Sequence, residues 1–324
     1  MNISRTTFGK PLLASALAMA GLGLAGQAHA VAVAYSSVQL FEFQVLPQNG
    51  ATFTPTPNAR QTSSNASYPG YPSISNTVGP NLPGGGSDVP QAKSGPGLFP
   101  AENTYSPSPV TNAASLTITM AGARGDARTA DIVGDTPDRG LLVQNVSEVK
   151  LDNISGSTQG GSANTNSGTL GILSLTAPAD TLNLSFDALV RRYASTTEAG
   201  EYAFASTNVS FTLTPTGGGV ATPMQMSGTD YARLTGQCDS SAGEGSLNCD
   251  SMVDLSSAGQ YFTLTPLTAL AVGDYSLSLN IASSANARDV PEPATMSLLG
   301  AGLMGLAAAR RRKAKVKEQE QVQA

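Results

Sequence analysis

The sequence predicts an all-β protein, a sandwich of about eight to ten short antiparallel strands set between an N-terminal signal helix and a C-terminal single transmembrane helix. Three observations carry this expectation. Short runs of alternating apolar and polar residues recur along the chain; in residues 182–188, Leu182, Leu184, Phe186 and Ala188 interleave with Asn183, Ser185 and Asp187. Clusters of Gly, Pro, Asn and Ser separate these runs, with 34 Gly and 20 Pro in 324 residues. The long apolar stretches lie at the two ends, and each is flanked by positive charge.

Residues 1–30 have the form of a secretory signal peptide. Arg5 and Lys10 give a positive start, residues 12–26 an apolar segment, and Ala28-His29-Ala30 an A-x-A cleavage site, so the implied partners are the secretion translocon and signal peptidase. The mature chain then starts at Val31. Residues 31–46 form a first strand, with a bulge expected near Ser36-Ser37. Twelve of the twenty prolines fall in residues 47–113, among Gly, Ser, Asn and Thr. Such a composition buries too little apolar surface to offset backbone ordering, so a loop or disordered insertion is expected there, an adaptable arm on the body.

The sandwich body is expected at residues 114–284. Strand patterns occur at 115–120, within 141–154, and at 169–176, 182–188 and 201–214, with short ones at 223–226 and 231–234. Residues 124–140 have the character of a charged hairpin or loop, and residues 153–168 of a Gly/Ser/Asn loop. The last strands lie at 261–265 and 270–281. There the spacing Leu270-x-x-Gly273-x-Tyr275 resembles the tyrosine corner of Greek-key sandwiches, which makes Tyr275 a structural residue. Cys238 and Cys249 are the two cysteines, and in an exported chain a disulfide between them is the default. Over so short a loop it would contribute about 3 kcal/mol and pin that loop. Asp239, Glu244, Asp250 and Asp254 nearby are of the type calcium takes, but they match neither an EF-hand loop nor a nonapeptide repeat. No metal or cofactor is assigned.

Residues 285–317 combine three unlike parts. Val290-Pro291-Glu292-Pro293 is held rigid and extended by its prolines, residues 294–309 carry no charge, and Arg310-Arg311-Arg312-Lys313 with Lys315 and Lys317 close the segment. Sixteen helical residues span roughly 24 Å, which suits a membrane crossing with snorkelling arginines. The basic cluster marks the cytoplasmic side and puts the body across the membrane. A hydrophilic tail, residues 318–324, follows. Taken together the three parts resemble the PEP-CTERM sorting signal of Gram-negative bacteria that make extracellular polysaccharide. The resemblance implies an exosortase as partner, recognition at Pro291, Glu292 and Pro293, and removal or exchange of the tail. It also implies export across the inner membrane, a transient membrane helix, and a final place at the cell surface or in the extracellular matrix.

Residues 31–289 hold ten Lys/Arg against twenty Asp/Glu, a formal charge of −10, which disfavours nucleic acid as a partner. The single histidine, His29, is lost with the signal peptide; this removes Ser-His-Asp and Cys-His catalysis and the usual zinc sites. Arg124-Gly125-Asp126 spells an adhesion tripeptide, but three residues recur by chance and carry no weight. The expected function is therefore non-enzymatic: an exported, exosortase-processed surface or matrix protein with a structural or adhesive role associated with exopolysaccharide. The alternative is a lectin-like module using Tyr68, Tyr71, Tyr105, Tyr193 or Tyr202 to stack on sugars; a carboxylate-dependent glycosidase follows behind it, since the chain has many acids but no tryptophan.

Overall fold

Alternation alone predicts a sheet face to bury, and the fifteen strands among the described residues bury theirs against one another. The computed structural model describes residues 31–45, 52–55, 61–78, 86–106, 121–130, 141–152, 159–197, 201–219, 222–227, 233–241, 247–255, 261–266, 268–289 and 303–304. In chain order the strands are β1 (Val31–Val45), β2 (Thr52–Pro55), β3 (Gln61–Ser67), β4 (Ile74–Val78), β5 (Gly86–Ser94), β6 (Gly122–Ala130), β7 (Leu141–Asp152), β8 (Gln159–Leu175), β9 (Leu182–Thr196), β10 (Tyr202–Pro215), β11 (Thr222–Ser227), β12 (Gly236–Ser241), β13 (Leu247–Leu255), β14 (Tyr261–Pro266) and β15 (Gly273–Asp289). The signal helix and all but two residues of the expected transmembrane helix lie outside the described residues. Among those described, no helix is long and apolar enough to cross a membrane.

Every pairing is antiparallel, and two layers face each other. The front layer runs β5-β6-β7-β1-β9 and the back layer β4-β3-β8-β15-β10, joined along one side through β11 and β14. β12 adds to β10 and β13 to β9 at that same side. One half of this edge is therefore closed by the β11–β14 ladder. The other half is closed by the Cys238–Cys249 disulfide, whose Cα atoms are 5.5 Å apart. The bridge does more than pin a loop, because it staples a back-layer strand to a front-layer strand.

Three kinds of interior succeed one another along the sandwich. At one end Phe43, Phe186 and Phe211 stack among Leu173, Leu184, Leu213 and Leu264. In the middle the layers are joined by polar side chains: Ser147, Thr165 and Ser283 bond one another, and the Asn145 amide donates to the Ile281 carbonyl at 2.9 Å. At the far end the filling is alanine, including Ala32, Ala34, Ala163, Ala194, Ala203, Ala205, Ala285 and Ala287. Small side chains let the layers approach. An added Cβ at Gly125 would lie 2.8 Å from the Asn65 carbonyl oxygen of the opposite layer, and one at Gly161 would lie 2.9 Å from Val149.

This narrow interior explains several corrections. Residues 47–113 contribute β2, β3, β4 and β5 rather than a loop or insertion throughout, and 159–168 open the 17-residue β8. Residues 122–130 are strand β6, paired antiparallel with β7, which agrees with the hairpin alternative for residues 124–140; 131–140 lie outside the described residues. In all three places Ser, Thr, Ala and Gly occupy the inward positions, so a core exists without large apolar residues. The irregularity in β1 falls between Leu40 and Phe43, with Glu42 at φ 56°, and not at Ser36-Ser37. The pattern at 115–120 lies outside the described residues. The tyrosine corner is present: the Tyr275 hydroxyl donates to the Ala271 carbonyl at 3.0 Å.

Candidate functional site

The outer face of the front layer is covered by residues 95–106, a strap between β5 and β6. β6 alternates, so Gly125 points inward and Arg124 and Asp126 point outward, where the strap covers them. Arg124 is 0 % exposed, pairs with Glu148 at 3.1 Å, and donates to the Thr104 and Ser106 carbonyls at 2.7 and 3.1 Å. Two charges removed from water are costly unless all their hydrogen-bonding capacity is used, and the strap carbonyls complete this pair. The adhesion tripeptide is thus a buried structural unit.

Beside it Asp126 accepts from the Asn103 backbone N–H at 2.8 Å and from the Gln91 side-chain amide at 3.5 Å. Its other oxygen, Oδ1, and Gln91 Oε1 are both buried and have no hydrogen-bond partner. Burial lifts the Asp126 carboxyl to about 6; the Asn103 N–H and Arg124 pull against this, and Asp88 and Glu102 add to it. Asn103 adopts φ 65°, a conformation asparagine tolerates, and its side chain donates to Asp88 at 2.7 Å and accepts from the Tyr105 hydroxyl at 2.9 Å. Tyr35 donates to the Tyr105 carbonyl at 3.1 Å, and burial raises its phenol to about 12. Next to the strap a groove of about 330 Å³ is lined by Tyr35, Gln39, Tyr105, Gln144, Arg191 and Met252, among others. Arg191 bonds Asp250 at 3.2 Å on its rim.

The back layer has a different outer face. On β10, Tyr202 and Phe204 stand side by side with rings 7° from parallel and centroids 6.2 Å apart. The next strand sets Arg288 opposite Tyr202 and Asn286 opposite Phe204, and beyond it β8 sets Gly160 and Ser162. A groove of about 800 Å³ runs over these residues.

The tyrosines proposed from sequence therefore separate. Tyr68 and Tyr105 are 4 % and 5 % exposed and belong to the interior and the strap, while Tyr193 packs against the Tyr35–Tyr105 cluster. Tyr71 is exposed with its ring edge-on to Tyr68. Tyr105 lines the smaller groove with Tyr35, and Tyr202 lines the larger one with Phe204; the sequence reading missed Phe204, Asn286 and Arg288, for which the signal was the i, i+2 pair of aromatics at outward positions of a strand. Asp239, Asp250 and Asp254 do not gather: among the described residues no group of three or more metal-ligating side chains is close enough to hold an ion. The cleavage residues Ala28 and Ala30, the motif Val290, Pro291, Glu292 and Pro293, and the cluster Arg310, Arg311, Arg312 and Lys313 lie outside the described residues. Of the apolar segment, Leu303 and Met304 are described, both helical and exposed.

A strand that runs straight into a proline-bounded acidic tripeptide, an uncharged segment and an arginine cluster defines a class, the exported proteins that an exosortase processes. Comparison with family models agrees: the PEP-CTERM protein-sorting motif matches residues 289–313. The chain carries a PEP-CTERM sorting motif, which marks it as an exosortase-targeted exported protein. Comparison with curated proteins and with solved structures gives no match.

Proposed function

We propose that this protein is a structural or adhesive component of the cell surface or extracellular matrix, associated with exopolysaccharide and without catalysis of its own. The observation that carries the reading is the root of the sorting signal. The matched motif begins at residue 289, which is also the last residue of β15, and β15 is paired with β8 along all 17 of its residues and with β10 along 14 of them. The sorting motif thus begins where an inner strand of the sandwich ends, as suits a body that must stay attached under pull. Among the described residues the carboxyl lifted toward neutrality is Asp126, and its full burial under the strap, away from any polymer, gives a glycosidase no support.

The test is made in a host that carries an active exosortase. The reading expects the intact mass of the mature protein to lack residues 310–313, and the protein to co-fractionate with the polysaccharide matrix. Replacing Pro291, Glu292 and Pro293 by alanine should hold the full-length chain in the inner membrane. A mature protein that keeps its arginines, or one that hydrolyses an oligosaccharide, defeats the proposal.

A further inference from the structure

We propose that the outer face of the back layer around Tyr202 and Phe204 is a binding surface for a neutral polysaccharide chain. This deepens the adhesive reading and rests on it for the presence of polysaccharide, but the site is argued from its own geometry. The outward positions of β8, β15 and β10 are occupied mainly by short polar residues: Ser162, Asn164 and Asn166 on β8, Ser284 and Asn286 on β15, and Ser206, Asn208 and Ser210 on β10. Two aromatic rings interrupt this polar face, and they do so together. Both are half-buried, their planes agree within 7°, and a centroid spacing of 6.2 Å is on the scale of one sugar residue.

The chemistry matches a pyranose ring on each side. The apolar faces of sugar rings pack on aromatic faces, and a rigid strand pays little entropy to present them. Sugar hydroxyls need donors and acceptors at the rim of that platform. Asn286 lies opposite Phe204 with its amide turned to Ser284 at 2.9 Å, and exposed Arg288 lies opposite Tyr202. On the other side of β10, Asp239 lies opposite Phe204, close enough to raise the Tyr202 phenol, after burial, as a second cause. The groove of about 800 Å³ lies over β8 at Gly160, where the absent side chain leaves the floor open. A chain laid across β10, β15 and β8 would meet rings first and then amide, guanidinium and hydroxyl groups.

A neutral polymer is the occupant because one carboxylate and one guanidinium flank the rings, and because the body carries a formal −10 over residues 31–289, with twenty Asp/Glu against ten Lys/Arg. An acidic polymer would meet net repulsion.

Affinity electrophoresis of the mature protein, purified from a host that exports it, tests the assignment. Native gels would contain dextran, galactomannan, mixed-linkage β-glucan or alginate. The expected result is retardation by at least one neutral polymer, weakened at least tenfold in Tyr202→Ala and in Phe204→Ala, kept in Tyr202→Phe, and unchanged in Tyr71→Ala. An unaltered melting temperature shows that each variant is folded; both rings lie outside the interior, so this is expected. Retardation by alginate alone, by none of the four, or equally by wild type and both alanine variants overturns the site. The surface-sorting reading stands or falls separately, on the C-terminal mass.

Discussion

Asp126→Asn is expected to stabilise the protein above pH 7 and to leave it nearly unchanged near pH 4. The folded carboxyl titrates at about 6, above its ordinary 3.8, because it is buried under the strap with two acceptor oxygens, Asp126 Oδ1 and Gln91 Oε1, that no donor serves. The native state therefore holds a proton that the unfolded state has already released between those two values. The stability linked to Asp126 is fully present below about pH 4 and is lost as pH rises through about 6. Two units correspond to about 3 kcal/mol, the cost at neutral pH of holding this carboxylate charged. Asparagine carries no charge and still accepts from the Asn103 N–H that Asp126 now meets at 2.8 Å.

Urea titrations at pH 4.5, 6 and 7.5, followed by tyrosine fluorescence because the chain has no tryptophan, measure the difference between variant and wild type. Other carboxylates titrate in both proteins and cancel in that difference. Part of the difference is already present at pH 4.5, so the variant's advantage should grow by about 2 kcal/mol from the lowest to the highest pH. An advantage that does not change with pH, or a variant less stable than wild type at pH 7.5, refutes the argument from burial.

Three further outcomes follow from the packing. Cys238→Ser with Cys249→Ser should cost about 2–4 kcal/mol in urea titration, since the bridge spans the two layers; a loss under about 1 kcal/mol would mean that the β11–β14 ladder closes the edge unaided. Gly125→Ala should cost about 1–3 kcal/mol, because its Cβ would stand 2.8 Å from backbone of the opposite layer, and an unchanged melting temperature would show that the layers can part there. Cleavage after Ala30 would turn the Val31 nitrogen, 2.9 Å from Thr197 Oγ1, into an ammonium next to the Thr197–Glu201 pair. N-terminal sequencing should begin at Val31, and Glu201→Gln should destabilise the mature protein at pH 6 by about 1 kcal/mol more than at pH 9, where the amine is neutral; equal loss at both pH values removes the ion pair.

What the sequence made legible was the part of the interior built from large residues. β9, β10, β14 and β15 alternate Leu, Phe and Ile with polar residues and pack around Phe186 and Phe211, so period-2 reading found them. The same reading missed β3, β6 and the first half of β8, where Ala66, Gly125, Gly161, Ala163 and Thr165 face inward. Hydropathy weighs side-chain size, and here the layers come so close that size is excluded. The burial of charged outward residues was not legible for a second reason: nothing in the neighbourhood of Arg124, Asp126 and Glu148 announces that residues 95–106 return to cover them. The sorting signal needed no fold to be recognised, since its order of parts is local; the ring pair of Tyr202 and Phe204 needed the register with β15 and β8 before it became a site.

The first and last strands also reach the same end of the sandwich, and this ties export to mechanics. Val31 opens β1, an inner strand of the front layer, and bonds Thr197 just past β9; Asp289 closes β15, an inner strand of the back layer, whose Arg288 lies opposite Tyr202 at the start of β10. Since β9 leads into β10 there, both termini lie at the alanine-filled end. A pull applied to Asp289 along β15 would slide the strand out only if the ladders to β8 and β10 broke together. An edge strand such as β4, with pairing on one side only, could peel bond by bond. Close packing of small residues serves the same end, because polar bonds such as Ser147–Ser283 and the Asn145 amide to Ile281 tie the pulled strand to the opposite layer. The low-hydropathy composition that made these strands hard to see is what lets the anchored strand be held from three sides.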